Sequence, residues 1–209
     1  MSDAQALLEA GRMLARKGLN TTSAGNLSVR QQGGMLITAS GFDAERDGPE
    51  SLVLLGADWQ PVAGGRPSSE WRFHAAIYEH WPDAGAVIHT HSPFATALAC
   101  QRQPIPPFHY MIARFGGDDV RCADYATFGT RQLSDNMLAA LAGRHACLLA
   151  NHGMVVYGSD VGHALGLALE LETLCEQYWR TLQLGPPALL SAAEMAAVHE
   201  RLADYGRPH

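Results

Sequence analysis

The sequence predicts a mixed α/β fold of the α+β kind, with a mainly antiparallel sheet covered by helices. Three observations predict it. Short apolar strands interleave with amphipathic helices along the chain. Two pairs of those strands are joined by tight Gly-containing turns, as hairpins are. No strand–helix–strand unit repeats, which argues against a parallel, doubly wound sheet. The 209 residues are 47% hydrophobic and only 17% charged, enough apolar material for a sizeable core and too little charge for a disordered chain.

The elements follow in order. Ser2-Asp3-Ala4-Gln5 has the form of a capping box. It opens an amphipathic helix over 3–17, with Leu7, Leu8, Met13 and Leu14 near helical spacing and Gly18 as its stop. A small polar loop from Thr21 to Asn26 leads into a hairpin of 27–30 and 35–38 about Gln31-Gln32-Gly33-Gly34. Residues 51–55 form a third short strand and 60–68 a Gly/Pro loop. The spacing of Trp71, Ala75 and Tyr78 predicts a helix over 69–81. A strand over 84–90 and a helix over 93–100 come next. Residues 102–126, rich in Pro, Gly and aromatics, read as irregular. A helix spans 131–141, and strands at 146–150 and 154–157 flank a turn at His152-Gly153. A long helix covers 161–184, and a second capping box, Ser191 to Glu194, opens a last helix ending at about 203. There is no internal repeat and no linker, so residues 1–209 are expected to form one domain.

Charge and cysteine content narrow the function. A net charge of −6 and an isoelectric point near 5.9 provide no basic field for nucleic acid or an anionic membrane. An anionic substrate group must then be held locally, by backbone N–H groups or by a metal. Cys100, Cys122, Cys147 and Cys175 are widely spaced with no CxxC pair, as expected for buried thiols in a reduced compartment. The chain opens on no signal-peptide pattern and has no apolar run of membrane-spanning length, so a cytoplasmic location is expected.

The chemistry-bearing residues begin with histidines. In Ala86-Val87-Ile88-His89-Thr90-His91, strand alternation points His89 and His91 to the same side. His152, in Asn151-His152-Gly153, comes from the end of a second strand. Three imidazole nitrogens with an open fourth position are the signature of a catalytic zinc, whose chemistry is Lewis-acid polarisation of an oxygen. Five other histidines read otherwise: His80, His145, His199 and His209 as surface residues, and His163, opening a helix, as structural. Glu70 stands at a helix start, where a carboxylate ordinarily complements the helix dipole. Beside zinc, the same carboxylate is what proton transfer next to a carbonyl requires. His74 lies four residues on, on the same helical face. It reads as a packing residue, with a Glu70/His74 metal pair as the alternative. Three small-residue turns, Gly25-Asn26, Ser40-Gly41 and Ser68-Ser69, offer donors of the kind that cradle a phosphate.

Several segments together carry a resemblance. They are Ser23-Ala24-Gly25-Asn26-Leu27-Ser28-Val29-Arg30, the run from Met35 to Gly41, Pro67-Ser68-Ser69-Glu70-Trp71-Arg72-Phe73-His74, the 89/91 pair, His109 to Ala113, Tyr125 to Arg131, Asn151-His152-Gly153 and Tyr205-Gly206. In this order, over nearly the whole chain, they resemble the class II aldolase/adducin-head family. The resemblance implies a three-layer α/β/α fold and a C4 homotetramer with active sites between subunits. It implies one Zn²⁺ per subunit held by His89, His91 and His152, with Glu70 as the acid/base residue. It places a substrate phosphate against Gly25, Asn26, Ser40, Gly41, Ser68 and Ser69. It also implies that Tyr110, from a neighbouring subunit, donates a proton at the aldehyde end, and that Tyr205, on a mobile tail over about 204–209, closes over a neighbour's site.

The activity implied is zinc-dependent cleavage of a phosphorylated sugar, a ketose 1-phosphate such as L-fuculose 1-phosphate, to dihydroxyacetone phosphate and a short aldehyde such as lactaldehyde. The same chemistry on 5-deoxyribulose 1-phosphate or 5-methylthioribulose 1-phosphate is the first alternative. A methylthioribulose-1-phosphate dehydratase and a non-catalytic adducin-head interaction module are the others. The last is disfavoured because all three histidines and Glu70 are present. Residues 92–103 depart from the family pattern, and Ser40 replaces a threonine while keeping its hydroxyl. These departures leave the aldehyde end open, where Phe94, Phe108 and Phe115 are the apolar candidates.

Overall fold

The computed structural model describes residues 1–20 and 23–204. Eight strands form one sheet: β1 (Asn26–Gln31), β2 (Gly34–Thr38), β3 (Leu52–Leu55), β4 (Pro61–Ala63), β5 (Ala86–Thr90), β6 (Arg121–Ala123), β7 (Ala146–Leu149) and β8 (Gly153–Gly158). Their order is β4-β3-β2-β1-β5-β8-β7-β6. Every pairing is antiparallel except β6 with β7. The helices are α1 (Asp3–Arg16), α2 (Trp71–His80), α3 (Pro93–Ala99), α4 (Arg131–Leu141), α5 (Val161–Leu182) and α6 (Ala192–Asp204).

The pleat sorts the core into two. Ala86 and Ile88 of β5, with Met154 and Val156 of β8, face a cluster built on α1, α3 and α5. Val87, Val155 and Tyr157 face the other side, against Phe73, Ile77 and Tyr78 of α2 and Leu133 and Met137 of α4. The result is a three-layer α/β/α arrangement around a mostly antiparallel sheet, the fold class the sequence predicts. His89 is in phase with Val87, so its imidazole belongs to the α2/α4 side.

The capping signals act as expected. Ser2 and Gln5 exchange hydrogen bonds at the start of α1, and Ser191 and Glu194 do so at the start of α6. Arg30 of β1 is a tie across layers. Its guanidinium donates to the carbonyls of Ala84, Tyr78 and Trp81 at 2.7, 2.9 and 2.8 Å. This fixes the C-terminal end of α2 to the sheet, and with it the angle at which the start of α2 meets β1 and β5.

Three boundaries differ from the sequence expectation. The segment 102–126 contains a 3-10 turn (Tyr110–Phe115), the strand β6 and a bridge between Ile105 and Val120. Residues 61–63 are a strand inside the expected loop. It is an exposed edge strand with a register shift, where a proline is tolerated. Helix α2 begins at Trp71, two residues later than expected, with Glu70 as its N-cap. His145 is half-buried rather than on the surface, its ring tilted on Tyr157.

Candidate metal centre and active site

β5 lies between β1 and β8, and the cluster is built where these strands meet α2. His89 sits within β5, registered opposite Asn26 of β1 and Val155 of β8. His91 follows one residue past the end of the strand. His152 sits in the turn that enters β8. That turn needs two unusual backbone features. Asn151 adopts φ +54°, a left-handed conformation that Asn tolerates better than most residues. Gly153 lies so close to β5 that a Cβ there would fall 2.4 Å from the Thr90 carbonyl oxygen. A side chain at 153 would push β8 away and part His152 from the other two rings. Behind His91, the Glu172 carboxylate of α5 accepts from Ser92 Oγ and from the Phe94 and Ala95 N–H groups at 2.7, 2.8 and 2.9 Å. It caps α3 and anchors the chain just after the ligand.

The three imidazoles converge. Their ring centroids lie 4.9, 4.8 and 4.7 Å apart in the pairs 89/91, 89/152 and 91/152. One donor atom from each of Glu70, His89, His91 and His152 fits within 4.8 Å of the others. His89 Nδ1 lies 2.8 Å from the Met154 carbonyl, which can only accept, so Nδ1 carries the hydrogen and Nε2 turns its lone pair inward. His91 Nε2 is 3.0 Å from that atom, and Glu70 Oε2 is 3.1 Å away. Glu70 Oε1 approaches His152 Nε2 at 3.2 Å yet is buried without a hydrogen bond. A buried orphan carboxylate oxygen facing inward lone pairs is stable only with positive charge among them. The donor set therefore fits a divalent cation that takes nitrogen and oxygen ligands, zinc among them.

Electrostatics prepare the same set. Burial alone would raise the Glu70 carboxyl. The nearby His89 and His152 imidazoles, at 3.1 and 3.2 Å from its two oxygens, outweigh it, so the group is held well below the usual carboxylate range. Burial, then repulsion from His89 and His152, lowers His91 to about 4, which keeps its imidazole neutral and available as a ligand near pH 7. As N-cap of α2, Glu70 makes no side-chain capping bond. Its carboxylate is turned away from the helix terminus and given to the cluster.

Behind Glu70 lies a buried polar chain. Asn26 Nδ2 donates to Glu70 Oε2 at 3.0 Å, and Asn26 Oδ1 lies 2.5 Å from His74 Nε2. His74 Nδ1 lies 2.7 Å from Ser28 Oγ, which lies 2.8 Å from the Tyr78 hydroxyl. Both ring nitrogens of His74 are thus occupied, and it is not a metal ligand. Burial, then repulsion from His89, lowers its pKa from 6.5 to about 3. Between these values the unfolded chain takes up a proton that the folded chain refuses. The stability from this group is complete above about pH 6.5 and is lost progressively as pH falls toward 3. At pH 4 the loss is expected to be on the order of 3 kcal/mol. Urea unfolding from pH 7 to 4 checks this. The wild type should lose stability more steeply than His74→Gln, and equal slopes would contradict the assignment.

A cavity of about 310 Å³ opens in front of the cluster. The structure brings all six residues of the three small turns, Gly25, Asn26, Ser40, Gly41, Ser68 and Ser69, to its wall beside Glu70, His91 and His152. The side chain of Asn26 is turned inward and only 3% exposed. Sequence reasoning missed a further part of the lining, formed by Tyr125, Ala126, Phe128 and Asn151. Arg102 braces it, donating to Asn151 Oδ1 at 2.7 Å and lying 5.7 Å over the Tyr125 ring. The signal was present in the run from Tyr125 to Arg131, which figured only in the resemblance. The three phenylalanines considered for this end lie elsewhere. Phe115 is fully buried in the core, Phe94 packs on Trp179 and Phe108 on Tyr178. Tyr110 is 51% exposed and lines a separate cavity with Met111, Val198 and Leu202, so it does not meet Glu70 within one chain. Tyr205 lies outside the described residues.

Comparison with known proteins agrees with this geometry. Residues 5–179 match the family model described as Class II Aldolase and Adducin N-terminal domain. A 5-methylthioribulose-1-phosphate/5-deoxyribulose-1-phosphate aldolase of Rhodospirillum rubrum is 50% identical over 200 residues, covering 96% of this chain and 90% of that protein. An L-fuculose phosphate aldolase of Escherichia coli K12 is 44% identical over 194 residues, covering 92% and 90%. Among solved structures, an L-fuculose 1-phosphate aldolase superposes with a TM-score of 0.92 at 38% identity, covering 97% of each chain.

Proposed function

Since this chain belongs to the class II aldolase and adducin N-terminal domain family, we propose that it is a zinc-dependent lyase that reversibly cleaves a ketose 1-phosphate to dihydroxyacetone phosphate and a short aldehyde. The single observation that carries the reading is the buried, unbonded Oε1 of Glu70 set against three converging imidazoles at the mouth of a cavity lined by small polar turns. A purely structural domain has no use for an orphan carboxylate there.

His89, His91 and His152 hold the ion. When bound, it supplies Lewis-acid stabilisation of the negative charge that develops on the substrate oxygens as the carbon–carbon bond breaks. Ser40, Ser68 and Ser69, with the backbone at Gly25, Asn26 and Gly41, bind the phosphate with neutral donors, as a chain with a net charge of −6 requires. They orient C3 of the sugar toward Glu70. The C4 hydroxyl proton passes through a water to the Glu70 carboxylate as the C3–C4 bonding pair withdraws toward the C2 carbonyl oxygen, and Glu70 then returns that proton to C3. Tyr110, exposed on its 3-10 turn, acts at the aldehyde end of a neighbouring chain's cavity, and Tyr205 closes over that site. This assigns the protein to a C4 tetramer with shared active sites, each chain one domain over 1–209, working in the cytoplasm. Among the described residues no helix is long and apolar enough to cross a membrane.

The aldehyde end takes an apolar tail. Tyr125 and Phe128 present aromatic surface to the cavity. Relatives named for 5-methylthioribulose, 5-deoxyribulose and L-fuculose phosphates share a substrate that ends in a methyl or methylthio group. A coupled assay for dihydroxyacetone phosphate release tests this across L-fuculose, L-rhamnulose, ribulose, 5-deoxyribulose and 5-methylthioribulose 1-phosphates. The expected result is a higher kcat/KM for 5-deoxyribulose than for ribulose 1-phosphate. A methyl in place of a hydroxymethyl against an aromatic wall is worth up to about 10²-fold, because an apolar pocket rejects an added hydroxyl only to that extent. No release from any of the five overturns the aldolase reading.

A further inference from the structure

The polar chain behind Glu70 has a direction. Asn26 Nδ2 donates to Glu70 Oε2 at 3.0 Å, so Asn26 presents its NH₂ to the carboxylate. That choice turns the Asn26 carbonyl oxygen toward His74, and this oxygen accepts in turn. His74 Nε2 therefore carries the ring hydrogen, and Nδ1, being neutral, is an acceptor. Ser28 gives its one proton to Nδ1, so its oxygen receives the Tyr78 O–H. Burial raises the Tyr78 phenol above its ordinary value, so it stays protonated and donates. Five consecutive groups thus have their hydrogens fixed, and the order is set at both ends: by a phenol that only donates inward and by a carboxylate that only accepts.

The chain is also buried. Ser28 and His74 have no solvent exposure, and Tyr78 and Asn26 have 3% each. Phe73 stacks on the His74 ring at 4.7 Å and holds its plane. The elements are rigid: Asn26 and Ser28 alternate onto one face of β1, while Glu70, His74 and Tyr78 lie at four-residue intervals at the start of and along α2.

We propose that Ser28, His74 and Asn26 are positioning residues that lock the Glu70 carboxylate, tying back Oε2 and leaving Oε1 as the oxygen that exchanges a proton with the substrate carbon. This rests on the reading of Glu70 as the acid/base residue. Were the His74 tautomer reversed, Asn26 would turn its carbonyl oxygen to Glu70 Oε2. Two acceptors would then meet in a buried site, and the carboxylate would rotate away. His74 thus controls Glu70 without touching substrate or metal.

Two measurements test this on the full-length, metal-loaded protein. In ¹H–¹⁵N spectra of ¹⁵N-histidine-labelled protein, His74 is expected as the neutral tautomer protonated at Nε2. The Nδ1-protonated form overturns the proposal. In kinetics with 5-deoxyribulose 1-phosphate and L-fuculose 1-phosphate, His74→Phe removes both bonds while keeping the ring stack. It should lower kcat about 10–100-fold, the usual cost of losing a supporting hydrogen bond behind an active-site group, with metal content and KM little changed. His74→Gln, whose amide can still donate to Asn26 Oδ1, should restore most of that loss. Ser28→Ala deletes only a hydroxyl and serves where Phe disturbs packing; it should lower kcat in the same way, less severely. Equal kcat for the Phe and Gln variants, or a loss carried by KM or metal content, overturns the relay. Glu70→Gln separates the two ideas. If it is inactive while His74→Phe is fully active, only the relay falls. If Glu70→Gln is itself active, the acid/base reading falls, and the tautomer measurement still decides the hydrogen-bond order.

Discussion

Replacing Glu70 with Gln is expected to lower kcat for cleavage by about 10²–10⁴-fold, the range for removing a general acid/base. Gln keeps the shape and an acceptor for Asn26 Nδ2, but has no proton to exchange at C3. The three imidazoles are untouched, so the variant should still bind one metal per chain, as elemental analysis can check. The phosphate turns are also untouched, so KM should change little. Metal retention with lost turnover separates a catalytic from a structural role. A Glu70→Gln protein that turns over at the wild-type rate removes Glu70 from the mechanism.

Deleting a histidine ligand should have the larger effect. His89→Ala is expected to strip the metal and reduce cleavage to background, because two remaining imidazoles no longer define a site. His89 is fully buried, so its loss also hollows the core under Phe73. His152→Ala is the cleaner variant: its ring is partly exposed in a turn, and removing it should abolish metal binding with little cost in packing. Chelation of the wild type should give the same inactive state, reversed by adding zinc. Full activity in the chelated protein, with no bound metal by elemental analysis, would refute the metal-centre reading.

Much of this was legible in the sequence, for identifiable reasons. Helical spacing of apolar residues marked α1 and α2 and a capping box marked the start of α6, although Trp71 rather than Ser69 begins α2, with Glu70 in the N-cap position and its carboxylate given to the cluster. The alternation in β5 put His89 and His91 on one side. Strands of three residues carry no readable period: β4 and β6 exist because a neighbouring strand offers them hydrogen bonds, which is tertiary information. The aromatic wall of Tyr125 and Phe128 escaped for the opposite reason, since an aromatic in an irregular segment is as often core, as Phe115 is. The His74 chain joins residues 46 to 50 apart and could not be read as contacts. One clue was available: Asn26 and Ser28 place polar groups in the buried part of β1, in alternation with the apolar Leu27 and Val29. Buried polar residues in alternation need partners.

The position of His89 inside the middle of the sheet has a consequence for how the ion leaves. His91 and His152 sit just beyond strand ends, where backbone fluctuations of low free energy can swing them aside. His89 is held by ladders on both flanks and by the Met154 carbonyl. Amide hydrogens in β5 should therefore exchange only through global opening, and a bound ion that has shed two ligands still waits on the third. Dissociation should be slow and chelator-independent in its last step, and ion binding should slow exchange in the most protected strands rather than in the loops.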